Sequence, residues 1–275
     1  AGGVNGALEV DGTTITANNS DATGIFLNAV GSGGVAVTAN AATAGDVAVY
    51  GNENVTLTDI DTASGNITST VTGADIIATD VVAGTAGDIT LTTTGSGNIE
   101  AGILNADGDE VTLTAAGAII ESAAADTITA TTLDIDGATT VGSGDAFLNT
   151  TATTIELDGV SGDVWLSDAD AIAIDANTAT ANLLPGALSV STRAAGLVDI
   201  DSGANSNLVL GTINANAGAD NVTISQDDTG TGGNILDGNG GQANVIASVL
   251  TIDDAAGTGV TDNPLDTTIA TLNMS

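Results

Sequence analysis

A repeat is the feature that most limits what this chain can form. Short apolar triplets begin at Ile67, Ile89, Val111, Leu133 and Ile155, each 22 residues after the last. Upstream the series runs through Val4, Ile25 and Val47, with steps of 21, 22 and then 20 residues to Ile67. Triplets such as Ile89-Thr90-Leu91, Val111-Thr112-Leu113 and Ile155-Glu156-Leu157 are apolar at the outer positions and polar in the middle. That two-residue alternation belongs to a strand with one face buried. Two further apolar positions follow in each period. One falls at Val35, Val55, Ile76, Ile99, Ile119, Val141 and Val164, the other at Val81, Ile103, Ile128, Phe147 and Ile172. Gly, Asn, Asp and Ser fill the intervals, in pairs such as Gly45-Asp46, Gly65-Asn66, Gly87-Asp88, Gly97-Asn98 and Gly162-Asp163. These residues tolerate the backbone of tight corners. Three strands and three corners per period predict an all-β chain, a triangular parallel β-helix (β-solenoid) of about 22 residues per coil. No apolar stripe with the 3.6-residue period of a helix competes with this reading.

The repeat defines a single continuous solenoid domain over 1–275, with regular coils at 4–174 and irregular coils with inserted loops at 175–275. In the second part Leu188-Ser189-Val190, Leu208-Val209-Leu210, Val222-Thr223-Ile224 and Leu250-Thr251-Ile252 still alternate. Their spacings of 20, 14 and 28 residues require insertions or a change of face. Segments 177–186, with Pro185, and 227–241 read as extruded loops. The structural core is expected at Ile67, Ile89, Leu91, Val111, Leu113, Leu133, Ile135, Ile155 and Leu157, stacked above one another. A narrow interior suits aliphatic side chains, and the aromatics are only Phe26, Tyr50, Phe147 and Trp165.

Charge removes whole classes of function. Thirty-five Asp and Glu face one cation, Arg193, for a net charge of −34. Such a chain repels phosphate, so nucleic acid and anionic membrane surfaces are not its partners. No apolar run approaches the ~20 residues of a membrane-spanning helix, so membrane insertion is not expected. Hydrophobic residues make up 42% of the chain and mean hydropathy is +0.31, enough to bury a core despite the charge. Beginning at Ala1 without Met, the sequence reads as a processed form or an excised piece. Histidine and cysteine are absent, so no imidazole base or thiol nucleophile exists. The Gly-rich tracts do not complete a phosphate-cradling G-x-G-x-x-G, and the pairs Asp227-Asp228 and Asp253-Asp254 lack basic partners. A non-enzyme is expected, with no catalytic and no cofactor-binding residues.

Segments such as Gly87-Asp88-Ile89-Thr90-Leu91-Thr92 and Gly45-Asp46-Val47-Ala48-Val49 resemble the repeats of filamentous haemagglutinin-like and autotransporter-type bacterial surface adhesins. The resemblance covers most of 4–174 and implies a right-handed β-helix, secretion, and an adhesive or fibre-forming role. The function expected is a non-enzymatic structural module of an extracellular bacterial fibre or adhesin. Its partners would be further copies, joined head to tail, or flanking solenoid domains, together with a surface glycan or receptor. End-to-end assembly would engage Val4 and Leu8 at one end and Ile269 and Leu272 at the other.

The alternative is a ligand-binding solenoid acting through an outer face. At a 22-residue period Thr68/Thr70, Thr90/Thr92 and Thr112/Thr114 stack as three T-x-T rungs, similar to the flat Thr arrays of β-solenoid ice-binding proteins. The next two rungs would be Asp134/Asp136 and Glu156/Asp158. Stacked like charges about 5 Å apart repel one another, and a hard cation such as Ca²⁺ relieves this by taking carboxylate oxygens. Those four acids are the candidate metal ligands, against plain screening by solvent ions. Ca²⁺, glycan and ice are the ligands considered.

Overall fold

Thr, Val and Ile dominate the apolar-alternating segments, and their branched side chains fit a pleated, half-buried surface. In a computed structural model of the chain these segments are all strands. The structure describes residues 6–123, 125–143, 145–168, 172–175, 188–192, 198–202, 208–215, 220–226, 234–238, 240–253, 257–258 and 264–274. Among them there is no α-helix, and every described pairing between strands is parallel. The protein is an all-β solenoid with about 22 residues between stacked strands. It divides into two compact units, 1–134 and 135–275.

The first unit opens with β1 (Leu8–Val10), β2 (Thr14–Asn19), β3 (Ile25–Ala29) and β4 (Val35–Ala41). It continues with β5 (Val47–Gly51), β6 (Val55–Thr62), β7 (Ile67–Thr72) and β8 (Ile76–Ala83). Then come β9 (Ile89–Thr94), β10 (Ile99–Thr114), β11 (Ile119–Glu121) and β12 (Ile128–Ala138), the last running past the division. One column of strands stacks β1, β3, β5, β7, β9 and the second half of β10 in register. Its inward positions run Ile25, Val47, Ile67, Ile89, Val111 and Leu27, Val49, Ser69, Leu91, Leu113. Ile67, Ile89, Leu91, Val111, Leu113, Leu133, Ile135, Ile155 and Leu157 are each at most 1% exposed. Burying an aliphatic side chain of this kind is worth about 1.5–3 kcal/mol.

The other two columns are continuous with each other, because β4, β6, β8 and β10 run through a corner without a break. In β6, β8 and β10 inward residues step by three there rather than two: Leu57 to Ile60, Ala78 to Val81, Ala101 to Leu104; β4 keeps the two-residue step from Val37 to Ala39, and its register with β6 shifts at that point. The sequence reading placed Ile103 inward, but it is 42% exposed and Leu104 is fully buried beside Val81. The physical reason is the three-residue corner step that β10 shares with β6 and β8; in β10 the first residue of that corner is Gly102. A Cβ on Gly102 would collide with the backbone carbonyls of Ala78 and Thr79, so only glycine lets the turns approach. A slip of one residue moves a side chain to the opposite face. Phe147 shows the same slip: it is half-buried, while Leu148 is the inward residue, in register with Leu166.

Asn and Asp at the other corners tie each turn to the next. The N–H of Asn66 donates to Asp46 Oδ1 (2.9 Å), that of Asp88 to Asn66 Oδ1 (3.0 Å), and that of Glu110 to Asp88 Oδ1 (3.3 Å). A second ladder runs from Asp75 N–H to Asn54 Oδ1 (3.1 Å), Asn98 to Asp75 (2.7 Å) and Ala118 to Asn98 (2.8 Å). Each corner also accepts in the opposite sense, with Val47 N–H on the Asn66 carbonyl and Ile67 N–H on that of Asp88. The side chains thus satisfy backbone donors that a corner would otherwise leave unpaired.

The second unit holds β13 (Leu148–Val160), β14 (Val164–Asp168), β15 (Ile172–Asp175), β16 (Leu188–Thr192) and β17 (Val198–Ser202). It continues with β18 (Leu208–Ala215), β19 (Asn221–Gln226), β20 (Asn234–Asp237), β21 (Val245–Asp253), β22 (Gly257–Thr258) and β23 (Thr267–Met274). One register chain runs Ile155, Ile174, Ile200, Ile224, Ile252, Met274. Leu188 pairs with Leu210, and Val222 pairs with Val198 and Leu250. The irregular spacing of the triplets is therefore a change of face: Leu188 and Leu208 lie on a different column from Val222 and Leu250. Buried polar groups of this unit are hydrogen-bonded to one another and to the backbone. Thr150 donates its hydroxyl to Asp168 Oδ2 (2.6 Å), and Ala152 N–H joins it at 3.2 Å. Asn244 donates to Leu210 O (2.9 Å), Gly211 O (3.3 Å) and Asp237 Oδ1 (2.8 Å), and accepts from Asp266 N–H (2.9 Å).

Candidate functional site

The expected site residues fall in three groups. The first is the Thr array. Phe26, Ala48, Thr68, Thr90 and Thr112 form one outward column, and Asn28, Tyr50, Thr70, Thr92 and Thr114 the next. The three T-x-T rungs therefore stand side by side in the order their spacing implies, all half-buried. Ala48/Tyr50 and Phe26/Asn28 bound the array on one side. Thr112 donates its hydroxyl to Glu110 Oε1 (2.8 Å), so the last rung is already tied to a neighbouring carboxylate.

The second feature is the acidic set. Asp134 and Asp136 lie in β12, half-buried and exposed respectively, and Glu156 is exposed in β13 beside Asp175 in register. The side chain of Asp158 lies outside the described residues. Among the described residues no group of three or more acidic side chains converges as a set of metal ligands.

A different acidic cluster escaped the sequence reading. Ile60 pairs with Val81 and Asp61 with Val82, so Asp59 and Asp80 fall side by side on adjacent turns. Burial, then Asp59, then Asp80 push the Asp61 pKa up; burial, then Asp59 do the same for Asp80. The available signal was the 21-residue interval from Asp59 to Asp80, each just before an inward aliphatic residue. That signal lay at the corner where the inward step is three residues, and a strict two-residue alternation passes over it.

The third feature is the residues expected at the ends. Val4 lies outside the described residues. Leu8 is 66% exposed, in register with Leu27. Ile269 is half-buried and Leu272 is 51% exposed, and they pair with the buried Ala247 and Leu250.

No family model, curated protein or solved structure matches the chain.

Proposed function

We propose that the chain is a non-enzymatic structural module of an extracellular bacterial fibre or cell-surface adhesin, extended by stacking further solenoid turns along its strand columns. The observation that supports this is the apolar column of β15, β17, β19, β21 and β23. Its inward residues Ile200, Ile224 and Ile252 are at most 4% exposed, while Met274, next in the same register, is 59% exposed. The column is built to be covered turn upon turn. Further copies joined head to tail, or flanking solenoid domains, would supply the cover, and head-to-tail contact does not close on itself. The −34 charge opposes lateral bundling and favours thin fibres. Concentration-dependent light scattering of the purified chain and of Leu272→Asp tests the reading. Growth by the parent chain and none by the variant supports it; a parent chain that stays monomeric at high concentration removes it.

A second reading rests on the in-register Thr array: a face that binds glycan or ice, with Ca²⁺ taken by Asp134, Asp136, Glu156 and Asp158 as its ionic variant. Thermal hysteresis, a glycan array and calcium titration of the isolated chain distinguish it, because the structural reading requires none of the three.

A further inference from the structure

We propose that Phe26 and Tyr50, with the hydroxyl and amide groups beside them, form a stacking platform for a neutral polysaccharide. This deepens the glycan reading above, rests on it, and names its contact residues and ligand class. The chain has four aromatic residues and none is fully buried: Phe26 is 45% exposed, and Tyr50, Phe147 and Trp165 are half-buried. Two of the four stand on one outer face. Phe26 is in register with Ala48, and Asn28 with Tyr50, so the rings belong to adjacent turns, two residues apart along the strand. A strand spacing of about 4.8 Å and a rise of about 3.3 Å per residue put their Cα atoms roughly 8 Å apart.

The surroundings join the two rings into one surface. Ala48 also points outward, yet it is only 5% exposed. It lies between Phe26 on one turn and Thr68 on the next, with Tyr50 two residues along, and these larger side chains close over it. Gly24 has a φ of +79°, and a Cβ there would stand 3.0 Å from Phe26 Cε2. The missing side chain leaves room for the ring to lie back against the corner. Aromatic rings held in this way offer a large apolar contact area at small entropic cost.

Charge and polarity select the guest. The outward positions of β3, β5, β7 and β9 are all uncharged, in a chain with 35 acids. Exposed Asp46 and Asp88 precede β5 and β9, and exposed Glu9 pairs with Asn28, so acids fence the face. Such a fence turns away an anionic polymer, and with it the side-by-side approach of a second copy. Rings set beside Asn28, Thr68 and Thr70 suit a ligand whose every unit has an apolar C–H face and a hydroxyl-bearing edge. A neutral sugar chain has both.

Affinity electrophoresis of the full chain in native gels containing hydroxyethylcellulose, galactomannan or dextran tests this, with polygalacturonate and gelatin as the anionic and protein probes. At least one neutral polysaccharide should retard the chain in proportion to its concentration, and the other two probes should not. Phe26→Thr and Tyr50→Thr extend the Thr array with a strand-compatible residue, so their melting curves should stay unchanged. Each should weaken the binding by about tenfold or more. Tyr50 is the only tyrosine, so the retarding polysaccharide should also perturb the tyrosine band of the ultraviolet difference spectrum. No retardation by a neutral polysaccharide overturns the inference, as does equal retardation by polygalacturonate or gelatin. Full binding by both Thr variants overturns it too, and leaves the Thr array itself as the glycan face. Thermal hysteresis without glycan binding removes the inference and spares the second reading; the absence of retardation, hysteresis and any calcium response removes both.

Discussion

Leu113 and Thr112 are adjacent in β10, yet one is fully buried in register with Leu91 and the other is half-exposed in register with Thr90. Leu113→Asp places an unpaired charge in an apolar column and should abolish cooperative folding, a loss of roughly 4 kcal/mol or more. Thr112→Asp should cost within about 1 kcal/mol, and thermal unfolding of the two variants measures the difference. Ser69 is the exception within its column. Its side chain stands between Val49 and Leu91, fully buried, with no hydrogen-bond partner for Oγ. Desolvating an unpaired hydroxyl costs about 1–3 kcal/mol. Ser69→Val should therefore raise the melting temperature, by the equivalent of about 1 kcal/mol, since it exchanges that penalty for aliphatic contact with both neighbours. A lowered melting temperature would mean that the column has no room for the extra methyl groups.

At the scale of strands and corners, the two Asx ladders alternate charged and neutral members: Asp46, Asn66, Asp88 in one and Asn54, Asp75, Asn98 in the other. The ladder bond needs only a side-chain oxygen, which Asp and Asn both provide. Alternation keeps the Asp carboxylates of each ladder two turns apart, with Glu110 following Asp88 at the end of the first. Asn66→Asp retains the acceptor but puts acidic residues on four successive turns (46, 66, 88 and 110), and should destabilise the fold by about 1 kcal/mol at neutral pH and low salt. High salt should recover most of that loss, whereas Asn66→Ala, which lacks the acceptor, should not recover. Asp59 and Asp80 break the same rule by standing on adjacent turns. Raised pKa values mean that folded Asp61 and Asp80 hold protons at a pH where the unfolded chain has released them. The repulsion is therefore fully present above the raised values and is relieved as pH falls toward the ordinary carboxylate value. Asp80→Asn should stabilise at neutral pH by roughly 0.2–1 kcal/mol, and the gain should shrink toward pH ~4. Urea unfolding across that range checks the sign.

Over the whole molecule, legibility followed the arithmetic of the repeat. The constant interval from Ile67 through Ile89 to Val111 displayed the inward column, because stacked parallel strands need the same residue type at the same phase. The corners were less legible. The three-residue corner step of β6, β8 and β10 makes Leu104 rather than Ile103 the inward residue, and nothing in a two-residue alternation announces it. Beyond 174 the triplets remained visible, but Leu208 and Val222 belong to different columns, and triplet spacing alone does not separate a change of face from an inserted loop. The Gly-Asp and Gly-Asn pairs marked where corners fall but not that their side chains bond from turn to turn, which depends on distance across the stack. The Asp59–Asp80 cluster stayed hidden for that reason too.

The central claim is that this chain is structural and grows by stacking turns along its strand columns. X-ray fibre diffraction from concentrated, aligned purified chain tests it most directly. The account predicts filaments with a reflection along the fibre axis at about 4.8 Å, the spacing of hydrogen-bonded strands, and the loss of those filaments in Leu272→Asp. A solution that remains monomeric and gives no axial order, from a parent chain with its native melting transition, would contradict it.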